Sequence, residues 1–321
     1  MVELSVIIPT RNRAHLLDRT LEALFHQTYS QERFEVIVVD NGSTDSTAQV
    51  AEKYKSRFKN FNYLFEISPG LHVGRHAGMK TAKGQILVYG DDDIRPFPTW
   101  LEGVRESFQD PQVALVGGNN LPEYENDPPK WVDLLWSVTP WGKALGYYSV
   151  LDFGNEIAEI SPYYVWGCNF SIRKSILREI GGFHPDGMPE ELLHYRGDGE
   201  TAVSKAILNK GYKTIFNPKA SVYHCVSSSR VTLNYLYKRA YAQGISDSYT
   251  QIRAMGGQRL RLKMWNSLRR LKAMLRNVLR KDNEPQKRIL KGYWDGFMYH
   301  QRKVSNDVDL LRWVLKEQYM D

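Results

Sequence analysis

Cysteine is scarce in this chain. Its 321 residues hold two, Cys168 and Cys225, too few for a disulfide framework and in keeping with a reducing compartment. The opening residues, "MVELSVIIPTRNR", lack a basic leader followed by a long apolar region and a cleavage site, so no signal peptide is expected. No apolar run approaches the roughly 18 to 20 residues that a membrane span needs. The expectation is a soluble or peripheral protein of the cytoplasm. Glycine is missing where a dinucleotide fingerprint would place it: "TRNR" follows the first apolar run, which argues against a Rossmann dehydrogenase. Repeats, low-complexity tracts and the signatures of RNA-binding or helix-turn-helix modules are absent as well.

What is present is globular in character. The chain is 42% hydrophobic and 25% charged, and its length suits one large domain, or one domain plus an appendage. The net charge of +7 is unevenly spread: residues 226–321 carry 20 Lys and Arg against 8 Asp and Glu, and residues 1–225 carry 23 against 28. This divides the chain into a body, 1–225, and a basic, mainly helical extension, 226–321, with an attachment role for the extension. Within it, "RLRLKMWNSLRRLKAMLRNVLRK", 259–281, has nine basic residues and no acidic one. Its apolar residues recur at helical spacing, the pattern of a helix lying in an anionic membrane interface. A helix packed on the body with a solvated basic face is the plainer alternative.

The body alternates strand and helix patterns. "LSVIIP", "FEVIVVD", "FNYLFEI" and "QILVYG" read as strands. "AHLLDRTLEALFHQ", the segment after "NGSTD" and "HVGRHAGMKTA" read as helices, and Ser43, Thr44 or Asp45 can cap the second of them. Such alternation implies a parallel α/β sheet, and ligands of open sheets bind at the carboxyl ends of the strands. Three features fall at such ends: "PTRNR", "DNGSTD" and "GDDD". The last stacks three carboxylates, Asp91, Asp92 and Asp93, which repel one another. A solvated acidic turn would explain them, and so would a divalent cation held by oxygen ligands.

Five segments, in order over roughly residues 3–225, resemble the inverting family 2 glycosyltransferases of the GT-A fold. They are "SVIIPTRNR", "VIVVDNGSTDST", "GLHVGRHAGMKTAKGQILVYGDDD", "WGCNFSIRKSILREIGGFH" and "GDGETAVSKAILNKGYKTIFNPKASVYH". The resemblance implies a Rossmann-like nucleotide-diphospho-sugar transferase domain. It further implies a metal-dependent, hexosyltransferase-type enzyme using a nucleotide sugar, with UDP-sugar the favoured donor, and a glycan or lipid-linked acceptor. Two departures stand out: Arg75-His76 where the family often has Arg-Asn, and "DGET" where it often has a Glu-Asp pair.

Carried over residue by residue, the resemblance places Pro9, Thr10, Arg11, Asp40, Arg75, Asp91 and Asp92 at the nucleotide sugar. Asp40 would accept a base N–H of the uracil type, Arg75 and Arg11 would pair with phosphate, and Asp91 would contact the ribose or serve as the motif's second carboxylate. Asp93 and His224 would hold Mn²⁺ or Mg²⁺. Glu200 falls on the family's catalytic carboxylate as general base, with Asp198 close enough to remain the alternative. Trp166, Gly167 and Asn169 mark the acceptor side. Each has a bland counterpart: a helix cap for Asp40, a solvated charge for Arg11, a first-turn helix acid for Glu200. A sugar-nucleotide pyrophosphorylase would need a glycine-rich loop after the first strand. A basic nucleic-acid or membrane-surface binder without transferase activity would rest on the extension alone.

Overall fold

A computed structural model describes residues 1–257 and 283–320. Strands β1 (Leu4–Thr10), β2 (Phe34–Asp40) and β4 (Ile86–Gly90) are buried at every position, as near-continuous apolar runs in a sheet covered on both faces require. β2 pairs in parallel with β1 and with β3 (Phe61–Phe65), and β1 pairs in parallel with β4. The crossovers are α1 (Ala14–Phe25), α2 (Thr47–Lys55) and α3 (Leu71–Thr81). The alternation expected from periodicity is therefore present, with strand and helix ends shifted by a residue or two.

The cap of α2 is Ser46, whose side chain makes no capping bond. Asp45 acts in its place from one residue upstream: Oδ1 accepts from the Thr47 N–H at 3.0 Å, and Oδ2 accepts from the Ala14 N–H of α1, also at 3.0 Å. Ser43 and Thr44 instead bind Asn12 in the loop after β1, where Asn12 is held at a positive φ of 54°.

The chain continues through β5 (Ile94–Pro96), α4 (Trp100–Ser107), β6 (Val113–Gly117), β7 (Asn120–Tyr124), β8 (Ser137–Thr139), β9 (Gly142–Leu145), β10 (Val150–Asp152) and β11 (Ala158–Glu159). Then come β12 (Asn169–Arg173), α5 (Lys174–Glu179), α6 (Glu200–Asn209), β13 (Lys213–Phe216) and β14 (Val222–Val226). The main sheet has eight strands in the order β11-β13-β6-β12-β4-β1-β2-β3, with β12 antiparallel to both neighbours. A second sheet, β5-β14-β7-β10-β9-β8, stands beside it.

Register positions the site. Thr10 lies opposite Asp40, and Ile7 opposite Tyr89, so the ends of β1, β2 and β4 form one rim with Asp91 just beyond Gly90. In the second sheet β14 runs antiparallel to β5 with His224 opposite Ile94. The Cys225 N–H donates to the Asp93 carbonyl at 2.8 Å. This pairing carries His224 to the aspartates from far along the chain.

Helices α7 (Leu233–Ala254), α8 (Glu284–Asn306) and α9 (Val308–Leu315) follow. The amphipathic stretch 259–281 lies outside the described residues. The C-terminal segment returns to the body: Tyr319, 5% exposed, accepts from His76 Nδ1 at its carbonyl and from the Tyr249 hydroxyl at its own.

Candidate active site

The rim frames a cleft of about 290 Å³ lined by Pro9, Thr10, Arg11, Arg13, Asn41, Asp91, Asp92 and Arg230, among others. Asp92 anchors the rim internally. Its Oδ2 accepts from Thr10 Oγ1 at 2.7 Å and its Oδ1 from Arg13 Nη1 at 2.8 Å, while its carbonyl accepts from Thr20 Oγ1 at 2.8 Å. Burial pushes its carboxyl up to about 6 against the pull of Arg13. Burial would raise Asp93 as well, but His224, Arg230 and Arg13 hold it well below the usual carboxylate range. Both arginines reach Asp93 Oδ2, Arg13 at 3.0 Å and Arg230 at 2.8 Å.

The other oxygen of Asp93 is different. Oδ1 is buried without a hydrogen-bond donor and lies 3.2 Å from His224 Nε2. His224 Nδ1 is 2.8 Å from the Tyr148 carbonyl, which can only accept, so Nδ1 carries a proton and Nε2 is the ring nitrogen turned to the carboxylate. A carboxylate oxygen and a ring nitrogen facing each other in a buried site are able to share a cation once Nε2 is unprotonated. Asp91, Asp93 and His224 each offer one ligand atom, all within 4.8 Å of one another. Two carboxylates and an imidazole suit Mn²⁺ and leave positions open for phosphate oxygens. Asp91, read in the sequence as a ribose contact or as the motif's second carboxylate, stands with this set. Burial raises its pKa and Arg75 opposes that rise.

Arg75 does not line the cleft. It is 2% exposed, with the Phe183 ring 5.0 Å from its guanidinium carbon. Nη2 lies 3.8 Å from Asp91 Oδ1 and Nη1 lies 3.6 Å from Glu200 Oε2, while Nε and Nη1 lack hydrogen bonds. Its charge therefore stands inside the protein between the aspartate motif and Glu200, short of direct contact with either. Asp40 is also buried. Its oxygens accept from the Ser43 N–H and the Tyr63 hydroxyl, both at 2.7 Å, so the structure gives it a turn-stabilising contact at the rim without lining the cleft.

Glu200 and Asp198 are separated by the start of α6. Gly199 turns with φ 53°. Glu200 then enters a pocket of about 270 Å³ with Tyr147, Tyr163, Trp166, Arg239 and Gln243, and its Oε1 accepts from the Gly167 N–H at 3.3 Å. Asp198 faces elsewhere: it meets His184 Nδ1 at 2.6 Å and accepts from Thr250 Oγ1 at 2.7 Å. Of the acceptor-side residues, Trp166 lines the pocket and Gly167 borders it through its N–H. Asn169 does not reach it. Its buried amide accepts from Trp100 Nε1 and donates to the Ala220 carbonyl, which ties β12 to α4.

The sequence reading passed over Arg13, Arg230, Arg239 and Gln243. Arg13 sat within the quoted "PTRNR", whereas Arg230, Arg239 and Gln243 carry no local motif.

Comparison with known proteins places this geometry. Residues 5–181 match the model of Glycosyl transferase family 2. The chain is 37% identical over 123 residues to glycosyltransferase AglE of Haloferax volcanii, covering 38% of this chain and 40% of that protein. It is 32% identical over 200 residues to validoxylamine A glucosyltransferase of Streptomyces hygroscopicus subsp. jinggangensis, covering 57% and 47%. The chain thus spans less than half the length of these two relatives. Among solved structures, the mannosyltransferase PcManGT from Pyrobaculum calidifontis, in complex with GDP-Man and Mn²⁺, superposes with a TM-score of 0.54 at 18% identity, over 95% of this chain and 75% of that one. The fold is that of the GT-A glycosyltransferases. The family model spans more than half of the chain, including β1, β2, β4 and the three aspartates, and the chain belongs to glycosyl transferase family 2.

Proposed function

We propose that the protein is an inverting, metal-dependent glycosyltransferase that moves a sugar from a nucleoside-diphosphate sugar, UDP-sugar first among them, to an acceptor hydroxyl in glycan or polysaccharide synthesis. The observation that carries this reading is the Asp91, Asp93 and His224 group, flanked by the arginine-lined cleft on the rim and by the Glu200 pocket. Asp91, Asp93 and His224 would hold Mn²⁺ or Mg²⁺, which stabilises the charge of a departing diphosphate. Pro9, Thr10 and Arg11 line the donor cleft. Arg11, Arg13 and Arg230 supply fixed positive charge there, in a form that matches phosphate oxygens.

Glu200 serves as general base. It lies in a pocket with aromatic walls suited to sugar rings, and its carboxylate takes the proton of the acceptor hydroxyl as that oxygen attacks the anomeric carbon. A single in-line displacement with one base inverts the anomeric configuration. Arg75 sets a fixed, buried positive charge 3.6 Å from Glu200 Oε2. Asp198, held by His184 and Thr250, fits a positioning role at the start of α6. On the cysteine usage, which fits a reducing compartment, we place the protein in the cytoplasm. No helix among the described residues is long and apolar enough to cross a membrane.

The test is nucleotide release from a panel of UDP-, GDP- and TDP-sugars with Mn²⁺, run with variants. Glu200→Gln should lower turnover by about 10²-fold or more, as expected for a lost base, and leave nucleotide affinity near that of the parent. Asp198→Asn should cost less. The reverse ranking would move the base to Asp198, and retention of configuration in the product would remove the single-displacement reading.

A further inference from the structure

The Glu200 pocket contains a cation that the proposed chemistry leaves unused. Arg239 projects from α7 into this pocket, with Gln243 one turn further along the same helix. Arg239 is half-buried, and among the described residues it has no carboxylate within ion-pair distance and no side-chain hydrogen bond. Neighbouring acids are engaged with others. Asp186 is held by Arg196 at 2.6 Å, and Glu200 faces Arg75 and the Gly167 N–H. Arg239 is felt by Asp186 and by Tyr147 only through space.

A half-buried guanidinium gives up hydration, and without a partner that loss is uncompensated. Its planar fork of donors matches a carboxylate or a phosphate. The walls around it are aromatic, from Tyr147, Tyr163 and Trp166. Ser149, also in the lining, is held at φ 54°, a conformation that non-glycine residues adopt at a cost and that clusters at functional sites. At about 270 Å³ the pocket lies at the small end of ligand sites. An anion bound at Arg239 and a hydroxyl at Glu200 would therefore sit on the same sugar or on adjacent ones.

We infer that the acceptor is an anionic saccharide, whose phosphate or carboxylate group is held by Arg239 and Gln243 while its ring lies against the aromatic walls and its reacting hydroxyl faces Glu200. This rests on the reading of the Glu200 pocket as the acceptor side. Arg239 is then a specificity-determining residue: it selects acceptors by charge and positions them for the base.

The experiment is calorimetric titration of the full chain with glucose 1-phosphate, glucuronic acid and methyl α-glucoside. UDP and Mn²⁺ are kept saturating, so that an anion cannot enter the donor cleft. At least one anionic probe should bind about ten-fold or more tightly than the neutral glucoside, the scale of one charge-assisted contact, and the better of the two identifies phosphate or carboxylate as the recognised group. Arg239→Gln should reduce the preference to within about two-fold and leave UDP affinity unchanged. Arg239→Lys, which keeps the charge and loses the fork, should retain part of it. Absence of binding by all three probes, absence of a charge preference, or a preference intact in both variants would overturn the inference. Glu200→Gln separates the two claims. It should bind the anionic probe as the parent does while losing turnover, and unchanged turnover would defeat the base assignment without touching the Arg239 result.

Discussion

His76 shows how one buried ring constrains the fold. Its Nδ1 lies 3.0 Å from the Tyr319 carbonyl and must donate, and its Nε2 accepts from the Phe183 N–H at 2.9 Å. Only the neutral ring can do both. Burial lowers His76 to about 3, and lowers His72 and His300 to about 4. The unfolded chain takes up protons on these residues near pH 6.5 while the folded one does not, so stability is present above that pH and is lost as pH falls from about 6.5 towards 4. Each histidine contributes up to about 1.4 kcal/mol per pH unit in that window. Urea unfolding at pH 7, 6 and 5 should show a falling midpoint, and His76→Gln should lessen the dependence by one histidine's share, leaving that of His72 and His300; a parent profile that is flat over this range contradicts the assignment. Gly167 gives a second expectation. A Cβ there would lie 2.2 Å from Arg75 Nη2, so the buried guanidinium must shift to admit it; Gly167→Ala should destabilise by about 1–3 kcal/mol and lower nucleotide release by disturbing the guanidinium beside Glu200. The aspartates and His224 were legible in the sequence because their residue types sit at strand ends within motifs. Glu200 and Asp198 could not be separated there, because the turn at Gly199 decides which carboxylate enters the pocket. Arg239 was invisible because its meaning comes from neighbours brought together by the fold.

Elements differ in how much of their geometry is local. β1 to β4 and α1 to α3 were readable because each is five to twelve residues long with a single dominant period. The second sheet was not, since β5, β8 and β10 have three residues each and three residues carry no periodicity. The pairing of α7 with α8 was equally hidden. It depends on glycines at the crossing: a Cβ at Gly244 would lie 2.0 Å from the Tyr293 carbonyl oxygen, one at Gly292 2.3 Å from that of Tyr237, and one at Gly296 2.0 Å from that of Tyr241. The obstacles are backbone atoms, so the helices must separate for any side chain to fit. Gly296→Leu should cost about 1–3 kcal/mol or more in urea unfolding. Gly146→Ala, where a Cβ meets nothing within 4 Å, should stay within about 0.5 kcal/mol. Equal effects of the two would show that the helices are not in the close contact described.

At the scale of the whole molecule, charge and packing divide the chain differently. The acidic body carries the rim and the aspartates, and the extension carries the basic excess, yet α7 supplies Arg239 and Gln243 to the Glu200 pocket and the C-terminal Tyr319 binds His76 of α3. We propose that the boundary near residue 225 is one of role rather than of independent folding. Within the extension, the nine basic residues of 259–281 motivate a peripheral attachment to the cytoplasmic face of an anionic membrane, which would bring the active site to a lipid-linked acceptor. Each basic residue near such a surface contributes about 1 kcal/mol, and salt weakens the attraction. Reversing Arg269, Arg270 and Arg276 to Glu in the full chain replaces three attractive charges with three repulsive ones and leaves the apolar positions of the segment in place. The expected result is strong co-sedimentation of the parent protein with vesicles containing phosphatidylserine, little with phosphatidylcholine alone, and loss of both the lipid preference and its salt dependence in the triple variant. Nucleotide release in the absence of vesicles should be the same for both proteins if the basic stretch serves attachment alone. Sedimentation of the parent that ignores lipid charge would remove the attachment role.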